Sequence, residues 1–308
     1  MRNKEFISLI IPCFNEQDVI ELTHSIVSEV MNTHFENYEI IYINDGSYDK
    51  TEEILAKINA LSTQTKILNF SRNFGHEAAT TAGLHTCKGE YAVILDADLQ
   101  DPPKLIAEMF NIAKNQGANV VYGVRKSRDG ESVFKKTTSK IFYRTLNYFS
   151  DIVIPIDTGD FRLIDRKVID SFNSLPERNK FIRGLLTWVG FKQVPFYYDR
   201  EARAGGETHY SLLKLVKLAI TSTIYFSKKP LQLATNVGLT SVIISFFFLV
   251  YLIFQKILNP ELILAGWTSV ISLVVFFGGF VLFAIGVLGI YIGNIFEEIK
   301  NRPEYIIK

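Results

Sequence analysis

Two periodicities alternate through the first part of the chain. Short continuous apolar runs bounded by polar or turn-forming residues read as buried strands; between them apolar residues recur at helical spacing. The predicted strands are Ile7–Pro12, Tyr38–Ile43, Thr65–Phe70, Tyr91–Leu95 and Val120–Val124. The predicted helices are Val19 to about Met31, Thr51–Leu61, a stretch through Ala78–Leu84, and Lys104–Asn115. This β-α-β-α order implies an α/β domain with a mostly parallel sheet and helices on both faces. Polar clusters follow successive strands, so residues far apart in sequence should converge on one rim, where open α/β sheets bind ligands.

After about residue 230 the pattern changes. Two long uncharged apolar runs, about 233–254 and 269–292, each reach the ~20 residues a helix needs to cross a bilayer. Arg203, Lys214, Lys217, Lys228 and Lys229 precede the first run, and Lys300, Arg302 and Lys308 follow the second. Positive residues stay inside, which predicts a multi-pass protein of the cytoplasmic (inner) membrane with its N-terminal domain and both termini cytoplasmic. Two further stretches, Ser127 to Asp151 and Leu212 to Phe226, are rich in aromatic and apolar residues; the first also interleaves Lys135, Lys136, Lys140 and Arg144. Both suit amphipathic helices on a membrane surface. The expected organisation is a catalytic domain over 1–210, an interfacial helix over 211–230 and a two-span region over 231–308 ending in a short tail.

Composition narrows this picture. A net charge of +1 over 308 residues gives no global field directed at nucleic acid. Two cysteines, Cys13 and Cys87, suit a reducing compartment and packing roles, with neither a disulfide framework nor a metal site. No secretory signal precedes the first strand. Gly278, Gly279, Gly286, Gly289 and Gly293 permit close helix packing and hence a homo-oligomer.

The most informative chemistry follows the strand Tyr91–Leu95, where Asp96 and Asp98 stand one residue apart. Hard divalent cations take oxygen ligands and bridge carboxylates to substrate phosphates. A strand-end Asp-x-Asp is therefore a candidate diphosphate clamp, although such pairs also cap helices and shape turns.

Further clusters accompany it: Ile10-Ile11-Pro12-Cys13-Phe14-Asn15-Glu16, Asn44-Asp45-Gly46-Ser47, Ser71-Arg72-Asn73-Phe74-Gly75, Asp96-Ala97-Asp98-Leu99-Gln100-Asp101-Pro102, Asp157-Thr158-Gly159-Asp160-Phe161-Arg162-Leu163, and a late segment from Arg200 to Tyr210. In this order they resemble a family-2 glycosyltransferase of the GT-A (Rossmann-like) fold. The nearest resemblance is to the polyprenyl-phosphate group, the bactoprenol glucosyltransferases and dolichol-phosphate mannose synthase. It covers nearly the whole chain, including the paired apolar runs.

The resemblance implies a role for each cluster. Pro12, Asn15 and Glu16 would contact the base and ribose of a UDP-sugar, and Asp45 would face the uracil. Arg72 would neutralise diphosphate, with Gly75 allowing close backbone approach. Asp96, Ala97 and Asp98 would line the diphosphate site, the two carboxylates holding Mg²⁺ or Mn²⁺, with Gln100 adding a polar contact. Asp160 would face the acceptor, with Asp157 as the nearby alternative; a general base is the usual assignment, and an orienting role is the other. Arg162, Arg200 and Arg203 are candidates for the acceptor phosphate. His76 reads as a turn or surface residue. The implied reaction is inverting transfer of a hexose, glucose by resemblance, from UDP to undecaprenyl phosphate, serving cell-envelope glycans through a lipid-sugar flippase. A processive polysaccharide synthase and a non-catalytic scaffold on a transferase fold remain as alternatives.

Overall fold

The computed structural model describes residues 2–125, 158–178, 180–199, 229–258 and 267–308. The chain divides into two compact units, each taken in turn. The first holds the N-terminal α/β domain together with Arg302–Lys308; the second holds the long apolar helices.

The α/β unit is built on one seven-stranded sheet. Its strands are β1 (Ile7–Cys13), β2 (Tyr38–Asn44), β3 (Thr65–Asn69), β4 (Tyr91–Ile94), β5 (Val120–Arg125), β6 (Thr158–Asp165) and β7 (Gln193–Tyr198). The order across the sheet is β3-β2-β1-β4-β6-β5-β7. β1, β2, β3 and β4 pair in parallel, whereas β6 runs antiparallel to both its neighbours, β4 and β5. The expected strands are all present within a residue or two, and the sheet is mostly parallel as expected. β6 and β7 were not foreseen as strands. β6 coincides with the Asp157–Leu163 motif, whose polar residues mask the alternation of a half-buried strand.

The helices are α1 (Ile20–His34), α2 (Thr51–Leu61), α3 (His76–Thr86), α4 (Ile106–Gln116), α5 (Arg166–Asn173) and α6 (Ile182–Trp188). Their limits follow local chemistry. Asp165 caps α5 by accepting the Val168 N–H at 3.0 Å, and Gly117 ends α4 in the left-handed conformation at φ +57°. Where a helix was expected from Lys104, Pro103–Leu105 forms a 3₁₀ turn before α4 begins. The core joins Ile7, Leu9 and Ile11 of β1 to Val27 and Met31 of α1, Leu55 of α2, and Met109 and Phe110 of α4. β1 lies between β2 and β4, so the winding reverses direction beside it. In such sheets a crevice opens there, beyond the carboxyl ends of the strands.

The second unit contains α7 (Lys229–Leu258) and α8 (Trp267–Ile299), which pack on one another. Among the described residues one stretch, Phe276–Ile299, is long and apolar enough to cross a membrane, and its apolar window is not buried inside the protein. A core helix of a soluble protein would be covered. Among the described residues α7 contributes a shorter apolar stretch, Ala234–Phe248, so the first of the two expected spans is not confirmed. The surface helices expected over 127–151 and 211–230 lie outside the described residues, apart from the start of α7.

Candidate active site

The loops at the carboxyl ends of β1 and β2 are stitched to each other. Asn15 takes a left-handed backbone at φ +56°. Its N–H donates to Ser47 Oγ at 2.9 Å, and its side-chain oxygen accepts from the Tyr48 N–H at 3.1 Å. The Glu16 N–H donates to Thr51 Oγ1 at 2.9 Å. Pro12 is buried near the end of β1 beside Ile43.

Asp45, also buried, reaches across to the loop after β3. Its two carboxylate oxygens accept from the N–H groups of Phe74 at 2.7 Å and Gly75 at 2.9 Å. Burial raises its carboxyl, and the two amides oppose that shift. Gly46 follows at φ +65°, and a Cβ there would sit 2.3 Å from the Arg72 carbonyl carbon, so only glycine lets these loops touch. Arg72 stands exposed on the rim, its guanidinium 4.2 Å from the Phe74 ring centroid.

The loop after β4 is pinned along its length. Thr23 Oγ1 donates to the Ala97 carbonyl at 2.7 Å, and Asp98 Oδ1 accepts from the Gln100 N–H at 3.1 Å. Leu99 adopts φ +57°, an uncommon conformation for a non-glycine residue and a point of local strain. Asp101 is fully buried and accepts from the Tyr198 hydroxyl, which ties the loop to β7.

Asp160, on β6, is the centre of a charged cluster. His76, the first residue of α3, brings its buried Nε2 to 3.4 Å from Asp160 Oδ2 and 3.8 Å from Asp96 Oδ1. Arg183 of α6 places Nε 3.2 Å from Asp160 Oδ1. Glu77 accepts the Ile182 N–H at 3.0 Å, which fixes the start of α6 against α3. Burial alone would raise the Asp160 carboxyl; Arg183, His76 and Arg162 outweigh it and hold that group well below the usual carboxylate range. Burial would depress the His76 imidazole, but Asp160 and Asp96 push it up to about 10. The pair is therefore an imidazolium against a carboxylate at neutral pH.

Asp96 behaves oppositely. Burial raises it to about 6; His76 opposes, while Asp160, Asp101 and Asp98 add to the rise. Negative charge thus accumulates where the two strand-end carboxylates stand. Among the described residues no group of three or more His, Cys, Asp or Glu could hold a metal ion. A pair of carboxylates nevertheless fits a hard cation that brings its remaining ligands as water and substrate phosphate, the usual mode for Mg²⁺.

The sequence-predicted residues Pro12, Asn15, Glu16, Asp45, Arg72, Gly75, Asp96, Ala97, Asp98, Gln100 and Asp160 all lie on the loops at this rim or on the strand ends that reach it. Arg162, also on β6, pairs with Ile94 at the end of β4. It is 3 % exposed, and its Nη2 donates to the Gly159 carbonyl at 3.0 Å. Its guanidinium is enclosed in this structure, with Nε buried and without a hydrogen-bond partner among the described residues. Burial brings it down to about 10, with Arg183 adding to that shift and Asp160 opposing it. Its contribution is a fixed positive charge behind Asp160. Asp157, Arg200 and Arg203 lie outside the described residues.

Sequence reasoning missed two members of the cluster. His76 was read as a turn or surface residue, yet it directly follows Gly75 at the same rim as the strand-end clusters, which was the available signal. Arg183 had none: it sits in a short helix distant in sequence from every motif.

The chain matches the family model described as "Glycosyl transferase family 2" over residues 8–172. It is 46 % identical over 301 residues to "Uncharacterized glycosyltransferase YkcC" of Bacillus subtilis, covering 98 % of this chain and 93 % of that protein. It is 40 % identical over 308 residues to the "SfII prophage-derived bactoprenol glucosyl transferase" of Shigella flexneri, covering 98 % and 97 %. Among solved structures it superposes on the mannosyltransferase PcManGT from Pyrobaculum calidifontis, solved with GDP-Man and Mn²⁺, at a TM-score of 0.52 and 12 % identity, covering 72 % of this chain and 64 % of the other. That likeness shows the fold, GT-A.

Proposed function

The chain belongs to glycosyl transferase family 2 and is a glycosyltransferase of the GT-A fold; we propose that it transfers a hexose, glucose, from a UDP-sugar to undecaprenyl phosphate at the cytoplasmic face of the membrane. The observation that carries this reading is the convergence of the Asp96–Asp98 pair with Asp160, His76 and Arg183 at the carboxyl rim, in a chain with an uncovered apolar helix. The relative named for bactoprenol, similar over nearly its whole length, supports the lipid acceptor. The two-span topology rests on the additional apolar run at about 233–254 and on the basic residues flanking the two runs.

On this reading Pro12, Asn15, Glu16 and Asp45 shape the base and ribose site, while Arg72 and Gly75 border the diphosphate. Asp96 and Asp98 would hold Mg²⁺ or Mn²⁺, which when bound offsets the charge developing on departing UDP. An acceptor phosphate oxygen attacks the anomeric carbon in line as the bond to UDP breaks, inverting the configuration. A phosphate monoester has its second pKa near ~6, so near neutral pH it carries little proton to remove. Asp160, held ionised by Arg183 and His76, is correspondingly a weak base. Its role on this reading is the orienting alternative: it positions the acceptor, with Arg183 and His76 set beside it.

The test is transfer of labelled glucose from UDP-glucose to undecaprenyl phosphate by the purified protein in detergent, with Mn²⁺, with Mg²⁺ and with EDTA. GDP-mannose is the competing donor. Lipid-linked product from UDP-glucose, abolished by EDTA, is expected. Water-soluble polymer formed without the lipid would replace this reading with a synthase.

A further inference from the structure

The end of the chain closes one edge of the α/β unit. β3 is an outer strand, and such an edge exposes unpaired backbone groups. Residues of the Arg302–Lys308 segment cover its end. The Lys308 N–H donates to the Asn69 carbonyl at 2.8 Å, the Ser71 N–H donates to the Ile306 carbonyl at 2.9 Å, and Phe70 and Ile307 form an antiparallel bridge. These backbone bonds fall where β3 passes into the Ser71–Gly75 loop, which Asp45 holds from its other side.

The side chains of the segment reach three separate parts of the site. Tyr305 stacks on Phe70 at 5.0 Å between centroids and 8° between planes, and Phe70 meets Phe74 of the loop edge-on at 5.7 Å. The Tyr305 hydroxyl lies 3.1 Å from His85 Nδ1, near the far end of the helix whose first residue is His76. Glu304 pairs with the nearly buried Lys180 at 3.1 Å, just before the helix that carries Arg183. One short segment therefore touches the base of the Arg72 loop, the helix of His76 and the approach to the helix of Arg183. An edge cover against aggregation would need only the backbone pairing. The stack, the hydroxyl contact and the buried ion pair are additional, and each fixes an element that delivers a site residue.

We propose that Arg302–Lys308 is a positioning element of the active site: a clasp that sets the donor loop and the two helices flanking Asp160. The inference rests on the donor-site reading given above.

Tyr305→Ala and Tyr305→Phe in the full chain test it, with UDP plus Mn²⁺ as the probe and initial rates against UDP-glucose and against undecaprenyl phosphate. Tyr305→Ala should weaken UDP binding and raise the donor KM roughly tenfold, the scale set by losing one aromatic pair, with the lipid KM within about twofold. Tyr305→Phe keeps the stack and should stay close to wild type. Hydrogen exchange should quicken over Asn69–Gly75 in Tyr305→Ala while α4 is unchanged. A merely structural role would lower the active fraction and leave both KM values as they were, and that result overturns the proposal. Should Tyr305→Ala not fold, Glu304→Gln tests the clasp through the Lys180 contact: exchange should quicken over Ile182–Trp188 and kcat should fall severalfold with α4 unchanged, and unaltered exchange and kcat in it would be equally fatal. Asp45→Asn separates the two levels. If it leaves UDP affinity intact, or wild type binds no UDP, the donor-site reading fails and the clasp with it. If it weakens UDP while Tyr305→Ala does not, the clasp alone fails.

Discussion

Arg183→Met removes the guanidinium that, among the described residues, lies nearest Asp160, while keeping much of the side-chain volume. The separation is 3.2 Å, and Asp160 and Arg183 are only 18 % and 19 % exposed, so water screens the pair incompletely. With an effective dielectric of about 20, a Coulomb attraction of ~5 kcal/mol corresponds to that distance. His76 lies almost as close and compensates in part. Roughly half should therefore be lost in the transition state, ~2–3 kcal/mol, or about a hundredfold in kcat/KM. The assay is initial rate of glucose transfer to a short-chain polyprenyl phosphate in detergent, from pH 5.5 to 9. On the orienting reading proposed above, the loss should be nearly constant across that range, because Asp160 is held ionised and takes no proton. Arg183→Lys should restore part of the rate, since a point charge returns without the guanidinium fork. A Met variant within about threefold of wild type would show that Arg183 has no such role. Recovery of its rate at alkaline pH would instead make Asp160 a general base whose protonation Arg183 controls.

Three further predictions follow from other parts of the molecule. Asp96→Asn and Asp98→Asn should each lower transfer by at least about a hundredfold without unfolding the protein, and full activity in EDTA would remove the metal from the reaction. Glu39 is buried beside Ser8, Lys66 and the Lys88 N–H; burial raises its carboxyl, but those partners outweigh it and hold it low, so Glu39→Gln should cost about 2 kcal/mol at pH 7. Because the folded value is depressed, that contribution is present above the unfolded value near ~4.3 and disappears as pH falls through the folded value, so thermal scans of the two proteins should converge in acid. Reporters fused at Lys308 and in the Asn259-Pro260 connection should report opposite sides of the membrane, and a same-side result would exclude two spans.

The α/β alternation was legible because each strand and helix buries a face of its own, and burial writes a period into the sequence. β6 was not, because its pairing with β4 and β5 is antiparallel and non-local, and because it carries Asp160 and Arg162 where an apolar pattern would have announced it. The candidate site shows the same division. Asp96 and Asp98 could be found from sequence, since they sit at the end of an apolar run and a strand end dictates where they point. His76 and Arg183 could not be assigned from their neighbours, because their meaning is a distance to Asp160 across three separate elements. The burial of Arg162 was equally illegible, because a charged residue in a motif carries no sign of how deeply the fold encloses it.

By itself, then, the sequence determined the class of fold, the rim at which ligands gather, the strand-end carboxylates, the apolar character of the C-terminal quarter and the family resemblance. All are local properties, set by periodicity and by residues adjacent in the chain. Only the tertiary structure decided which charges meet, that Asp160 is held ionised between Arg183 and His76, and that Arg302–Lys308 returns to the first unit. The physical reason is that charge–charge energies depend on separations and burial that chain folding alone establishes, between residues whose sequence separation carries no signal.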